Sequence, residues 1–454
     1  MTLAEFCEKL GTLYSHGSKW NIDSARKAVA EINSFLYTNY NGIGQTRALE
    51  KDYEYFSDFH KYWERYHEEI LNCQIQDDKC AQVAEALHKE YLRTSGSAFS
   101  FVSEEYKNSN LNKEVICRIR LLTANQDFRK SMSFSKLAEK YNDDPSKFDE
   151  KNIYSAPDRF LTYIGINKLS QNDKRVKYAK KIAEFILNAT KNYNDDKAYH
   201  LIDSYNYDLL ALRKDLIKAN AGYGEKKTDM VLRDMVVLGI WEKDKVRNFD
   251  KLNVASDVNT IKVALRTGII STAIPLVSSF LDIFCYQYSY MDAQNAQAWR
   301  RVWEIWRQKY PQDEIGSPCL LDFFVYNVVG RQFCKINLYK YECETGKHTF
   351  YWHSSKNRTC QTCYKNHLLG VKAHLIDRVM ACRRPADESQ IAIGRTKYVE
   401  NLPDSVKNNY DFCPFHDICE HTNLMPPRSI SILGQTGWNS AYSRKGDGGG
   451  GLMS

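Results

Sequence analysis

Two blocks decide the fold: Asn220-Ala-Gly-Tyr-Gly-Glu-Lys-Lys-Thr-Asp-Met-Val-Leu-Arg-Asp-Met-Val-Val-Leu238 and Ser256-Asp-Val-Asn-Thr-Ile-Lys-Val-Ala-Leu-Arg-Thr267. In the first, Gly222 and Gly224 form a Gly-x-Gly turn, and Val231, Met235 and Leu238 then recur at helical spacing. Glycines at such a turn let the backbone bend sharply and bring bare N–H groups to the start of a helix, where an anion is welcome. Lys226 and Lys227 fall in the first turn of that helix, an unfavourable place for cations on dipole grounds. In the second block Asp257 stands just before an amphipathic run, Val258 to Arg266, whose N-terminus it can cap.

Outward from these blocks the chain reads as mainly α. Ser24 to Leu36, Glu50 to Leu71 and Asp78 to Leu92 carry helical periodicity, with loop signals at Asn41-Gly42 and Ser95-Gly96. The second of these helices is crowded with rings (Tyr53, Tyr55, Phe56, Phe59, Tyr62, Trp63, Tyr66), which at that spacing form a core stripe. Val115 to Gln126, Phe160 to Leu187 and Tyr205 to Ala219 continue the helical pattern, and Trp241 to Asn253 reads as a charged loop. Beyond residue 334 the character changes. Leu338-Tyr-Lys-Tyr-Glu342 and His348-Thr-Phe-Tyr-Trp352 alternate on either side of Glu344-Thr-Gly346, the pattern of a β-hairpin. Arg378, Arg383, Arg384, Arg395 and Lys397 follow it.

The 454 residues are enough for two or three domains, and 26% charged with 43% hydrophobic residues is the balance of a globular chain. A net charge of +7 favours a polyanionic partner. No apolar run reaches membrane-spanning length, and the start lacks the basic-then-apolar order of a signal peptide, so an intracellular, membrane-free setting is expected. In that setting the 13 cysteines stay reduced, and clustered ones point to metal. Cys7, Cys73, Cys80, Cys117, Cys285 and Cys319 are scattered and read as ordinary small residues.

Taken in order, the two blocks resemble the hairpin and active-site blocks of the helix-hairpin-helix DNA glycosylases, in particular the endonuclease III-like members. Gly222-Tyr-Gly-Glu-Lys226 has the form of their Gly-x-Gly-x-Lys hairpin, and Asp257 through Arg266-Thr267 has the form of the block that carries their catalytic aspartate. Leu121-Leu122-Thr123-Ala124-Asn125-Gln126 is similar in character to the turn that inserts a side chain where a base has been extruded, with Asn125 or Gln126 in that part. The resemblance implies a mainly helical glycosylase domain over residues 109–334, after an N-terminal helical domain (1–108) and before a Cys-rich insert with a β-hairpin (335–425) and a tail (426–454). It implies excision of a damaged or modified base by base flipping, with Asp257 stabilising the developing positive charge. Lys226, with Lys227 as its fallback, would act as a Schiff-base nucleophile and confer AP-lyase activity. Gly222, Gly224 and Lys227 would touch DNA. A monomer acting on double-stranded DNA is expected, nucleoid-associated if the source is prokaryotic.

Gly330-Arg-Gln-Phe-Cys334 and Cys413-Pro-Phe-His-Asp-Ile-Cys419 resemble the first and last parts of the family's [4Fe–4S] loop. The chain departs from the family in spacing: 78 residues lie between Cys334 and Cys413 (413 − 334 − 1), and Tyr410 stands where the second ligand belongs. Cys360 and Cys363, inside the insert, supply the missing thiols, so five cysteines compete for four positions. Zinc is the rival, since the pairs Cys360/Cys363 and Cys413/Cys419, with His348, His353 and His367 nearby, suit a tetrahedral site. Two further alternatives stay open: a non-catalytic helix-hairpin-helix nucleic-acid-binding protein and a zinc-stabilised interaction module.

Overall fold

Helix starts in this chain are written in short polar side chains. Asn112 accepts from the Val115 amide to open Lys113–Thr123, and Ser133 caps Phe134–Asp143. Asp149 caps Glu150–Ser155, and Asp208 accepts from the amides of Leu210 and Ala211 to open Leu209–Lys218. Each cap satisfies backbone donors that the first turn leaves without an intrahelical partner. The computed structural model describes residues 20–28, 62, 65–100, 106, 108–126, 132–166, 172–193, 198–274, 289–333, 337–343, 349–352, 373–380, 413–415 and 417–419. Over these it is mainly helical, as the periodicity implies.

The residues group into two compact units, each discontinuous in sequence. One comprises Tyr91–Ala255 and Gln312–Phe323. Here the long helix Asn172–Thr190 packs along Glu150–Ser155, Pro157–Tyr163 and Lys113–Thr123, while Leu209–Lys218 packs against Glu225–Val237. Ile119, Leu122, Ile182, Ala183, Leu212, Leu216, Val231, Leu232, Met235 and Trp241 are buried between them. The sequence pattern starts the Leu209–Lys218 helix several residues too early. Asn206 and Tyr207 have positive φ (51° and 62°), and the helix begins only after the Asp208 cap. Trp241 to Asn253 is irregular as expected, although Trp241 itself is buried and its indole N–H donates to the Tyr199 carbonyl.

The segment Gln312–Phe323 is held in this unit by charge as well as packing. Arg233 pairs with Asp322 and with Asp234, Asp234 pairs in turn with Arg120, and the Arg233 guanidinium lies 4.1 Å from the Phe323 ring centroid. Ser317 adds a hydroxyl bond of 2.6 Å to the Phe249 carbonyl.

The other unit comprises residues 1–90, Ser256–Pro311 and Phe324 onward. Val258–Arg266 packs on Ser289–Lys309 and on the π-helix Val325–Phe333. Trp299, Trp306, Ile261, Val263 and Ala264 are buried there. The helix Asp77–Thr94 contributes most of its length to this unit. Arg301 grips Asp77 through two bonds of 2.8 and 2.7 Å, and His88 stacks on Tyr310 with ring centroids 3.6 Å apart. Gln74–Ile75 and Ile270–Ser271 form a minimal antiparallel pair that no alternation in the sequence announces.

The expected β-hairpin is present: Asn337–Cys343 pairs antiparallel with Thr349–Trp352, in register Tyr339↔Trp352 and Tyr341↔Phe350. A third strand, Ala373–Met380, pairs on the far side of Asn337–Cys343 with a register irregularity between Lys340 and Tyr341. Of the aromatic stripe in residues 50–71, Tyr62 and Tyr66 are described; they are half-buried, with ring centroids 4.6 Å apart and tilted by 35°. Its other rings lie outside the described residues.

Candidate functional site

The Gly222-Tyr-Gly224 turn belongs to the first unit. Gly222 has φ of +83°, and a Cβ there would come within 2.6 Å of the Tyr178 ring, so both the bend and the close approach require glycine. Tyr223 folds inward, is buried, and donates its hydroxyl to the Leu121 carbonyl at 2.5 Å; burial raises its pKa and keeps the donor in place. Gly224 differs. Its φ is −87°, an added Cβ would meet nothing within 4 Å, and it is the N-cap of Glu225–Val237 without a side-chain cap bond. The helix therefore begins at an N-cap residue that brings no side chain to the first turn, with open space where its Cβ would sit.

Asn125, Gln126 and Lys227 converge behind this turn. The Asn125 amide donates to the carbonyls of Ala221 (2.9 Å) and Tyr178 (3.2 Å), and the Lys227 ammonium donates to the Asn125 carbonyl (3.1 Å). Gln126 exchanges bonds with Arg175: its amide donates to the Arg175 carbonyl, and the guanidinium donates back to the Gln126 carbonyl. Asn125 and Gln126 are both buried, and these donors brace the hairpin against the Asn172–Thr190 helix. Lys226 is half-buried on the first turn. Deeper in the same helix Asp229 is buried and held bidentately by Arg213; burial raises its carboxyl pKa while that guanidinium pulls it back.

Asp257 belongs to the second unit. It is 5% exposed and closes a complete capping box. Its Oδ1 accepts from the amides of Asn259 and Thr260, both at 2.9 Å, and its Oδ2 accepts from the Asn259 side-chain amide at 3.2 Å. The Asp257 amide in turn donates to the Thr260 hydroxyl at 3.0 Å. Such a cage fixes the direction of the carboxylate.

The same helix carries two buried cations, Lys262 and Arg266. The Lys262 ammonium donates to the Gly330 carbonyl at 3.3 Å, and Gly330 lies so close that a Cβ there would come within 2.9 Å of the Asn259 Cβ. The Gly330-Arg-Gln-Phe-Cys334 segment thus begins pressed against the first turn of the Asp257 helix.

Of the five candidate metal ligands, Cys413 and Cys419 are described, and Cys334, Cys360 and Cys363 lie outside the described residues. Cys413 and Cys419 bracket a tight turn in which the amides of Ile418 and Cys419 both donate to the Phe415 carbonyl. Phe415 is fully buried, its ring edge-on to Phe324 at 6.5 Å. Thiols are the ligand type that a soft metal takes, in an iron–sulfur or a zinc site. Among the described residues no three His, Cys, Asp or Glu side chains form a metal-holding group. Of the scattered cysteines, Cys73, Cys80, Cys117 and Cys319 are buried, and burial pushes the first to about 11 and Cys80 and Cys319 to about 12; Cys7 and Cys285 lie outside the described residues.

Arg213, Asp292 and Asn295 lie outside both quoted blocks, and Asp229 and Lys262 lie within them without being singled out there. Their signal is a polar residue on an otherwise apolar helix face, which singles out no chemistry until the partner is seen.

Comparison with family models, curated proteins and solved structures finds no match to this chain. Among the described residues no helix is long and apolar enough to cross a membrane.

Proposed function

We propose that this chain is a DNA glycosylase of the helix-hairpin-helix kind, which flips a modified base from double-stranded DNA and, through Lys226, also cleaves at the resulting abasic site. The observation that carries the proposal is the start of this helix: a turn that glycine suits at 222, followed by a glycine N-cap at 224 with open space around it. A phosphate is the natural ligand of such a terminus, and its contact fixes the register of a duplex without reading its sequence. Expelling the base then costs roughly a few kcal/mol, least for a base that is already damaged or poorly stacked.

The chemistry asks two things of the protein. Breaking the bond between C1′ and the base nitrogen leaves the electron pair on the base, which takes up a proton, and positive charge develops on the sugar. Asp257, held in its capping box, is assigned to that charge. Lys226 is assigned to the nucleophile: its neutral amine bonds to C1′ and loses a proton to solvent; the C1′–O4′ bond then opens, O4′ taking up a proton, to give a Schiff base, and loss of the C2′ proton to solvent expels the 3′ phosphate.

Cys413 and Cys419, with two of Cys334, Cys360 and Cys363, are assigned to a [4Fe–4S] cluster, with zinc the alternative. Such a group would stiffen this part of the chain and takes no part in bond-making. The completeness of the Asp257 cap favours one other reading, a binding protein in which that aspartate only starts a helix. The deciding experiment is borohydride trapping on a duplex with one aldehydic abasic site, alongside a panel of modified-base duplexes scored for abasic-site formation. A covalent adduct that disappears in Lys226→Ala is the expected result. A Lys226→Ala protein that traps at full yield removes the nucleophile assignment, and a wild-type protein inert on every duplex leaves the binding reading. Purified protein that absorbs in the visible supports iron–sulfur; colourless protein with bound zinc supports the alternative.

A further inference from the structure

We propose that Asn295 is a positioning residue: its amide fork clamps the capping box that aims the Asp257 carboxylate. This inference rests on the assignment of Asp257 to the sugar's positive charge. On the helix Ser289–Lys309, Asp292, Asn295 and Trp299 stand at spacings that share a face. Asn295 is fully buried. Its Nδ2 donates to the Ser256 hydroxyl at 2.9 Å and to the Thr260 hydroxyl at 3.0 Å, while its Oδ1 accepts from the Trp299 indole at 3.1 Å. One side chain therefore holds the residue just before Asp257 and the residue three after it.

The hydroxyls at both ends are fully committed in direction. Thr260 accepts from Asn295 and from the Asp257 amide, and donates to the Asp257 carbonyl at 3.1 Å, which uses its one proton and both acceptor positions. Ser256 accepts from Asn295 and donates to Asp292 at 2.9 Å. A leucine would fill the same buried volume without desolvating an amide, so packing alone gives no reason for asparagine at this position. A two-pronged donor does: it lets neither hydroxyl rotate, and so the amides of Asn259 and Thr260 stay aimed at Asp257 Oδ1. Misplacement of a catalytic group by about 1 Å can cost on the order of a hundredfold in rate, which is the scale on which such a clamp acts.

The test uses the full chain and two probes. The first is a duplex with one aldehydic abasic site, for the single-turnover rate of borohydride trapping, since loss of the C1′ hydroxyl develops the same positive charge. The second is a duplex with a tetrahydrofuran abasic analogue, for affinity. Asn295→Asp keeps the shape and turns the donor fork into an acceptor. The expected result is a trapping rate at least about tenfold lower, with Kd for the analogue within about twofold of wild type. Thr260→Ser keeps the hydroxyl and should retain the rate, while Thr260→Val should lose it; this pair decides the matter if Asn295→Asp fails to fold. Asp257→Asn separates the two levels of inference. If it traps as well as wild type, the carboxylate assignment falls and the clamp with it. If it is inert while Asn295→Asp and Thr260→Val keep wild-type rates, the clamp alone is overturned.

Discussion

Two helices in this protein begin in opposite ways. Glu225–Val237 starts at Gly224 with no side-chain cap and open space where a Cβ would sit. Val258–Arg266 starts at Asp257 inside a reciprocal capping box, with Asn259 and Asn295 closing the surroundings. Both termini carry the same partial positive charge and the same first-turn donors. At the first, the N-cap residue brings no side chain to these donors; at the second, the N-cap carboxylate accepts two of them. A terminus kept open suits a ligand that comes and goes, whereas a terminus closed on a carboxylate suits a charge that must never move.

The contrast breaks most sharply at Asp257. Asparagine caps a helix about as well as aspartate, so Asp257→Asn should change unfolding free energy by no more than a few tenths of a kcal/mol. The same change removes the negative charge, and borohydride trapping on abasic DNA should fall by about a thousandfold, the upper range for losing one preorganised charge-stabilising group. Denaturant titration and single-turnover trapping on the same preparation check both halves. A large loss of stability with activity preserved would make the cap purely structural.

The glycines supply the next largest effect. Gly222→Ala places a Cβ against the Tyr178 ring at a φ of +83°, and should cost roughly 1–3 kcal/mol in denaturant unfolding. Gly224→Ala, with φ of −87° and open space, should cost well under that. Equal losses at the two positions would mean that the turn, and not the open helix end, is the only reason for both glycines.

How much of this was legible beforehand follows from how local each feature is. The Gly-x-Gly bend, the Asp257 cap with its helix, and the hairpin around Glu344-Thr-Gly346 are set by residues a few positions apart, and their signals are present in the chain as written. The fork from Asn295 to Ser256 and Thr260 joins residues more than thirty positions apart, and nothing in Met-Asp-Ala-Gln-Asn295 marks it. The same is true of Asp322, whose pairing with Arg233 gathers Gln312–Phe323 into the first unit. The pattern Leu121-Leu122-Thr123-Ala124-Asn125-Gln126 shows a polar turn but not its direction. In the structure Asn125 and Gln126 point their donors at the carbonyls of Ala221, Tyr178 and Arg175.

Converting the open helix end into a closed one sharpens the comparison further. Gly224→Asp gives Glu225–Val237 the kind of carboxylate cap that Val258–Arg266 already has. Stability should rise by a few tenths of a kcal/mol, since aspartate is a better N-cap than glycine. Duplex affinity should drop about tenfold, because the new carboxylate takes the amides and repels the phosphate, and the slope of log K against log salt should become shallower by about one phosphate contact. Gly224→Ala serves as the control that adds bulk without charge. Unchanged affinity in Gly224→Asp would place the phosphate elsewhere.

A third helix start sets a limit on what a terminus can do for a negative charge. Glu150 occupies the first position of Glu150–Ser155, just after the Asp149 cap, where the dipole favours an anion. It is also 3% exposed, and burial pushes its carboxyl up to about 7 although the Arg118 guanidinium, 3.4 Å away, pulls it down. Desolvation wins there. A carboxyl whose pKa is higher folded than unfolded holds more protons in the native state, so its contribution to stability is greatest below the unfolded value near 4.5 and is lost as pH rises toward 7. Glu150→Gln removes the ionisation and should therefore stabilise the protein by about 2–3 kcal/mol at pH 8 relative to its effect at pH 5, where the native glutamate is mostly neutral. Thermal melts of both proteins at the two pH values measure that difference directly. A variant less stable at pH 8 than at pH 5, relative to wild type, would show that the Arg118 pair outweighs burial.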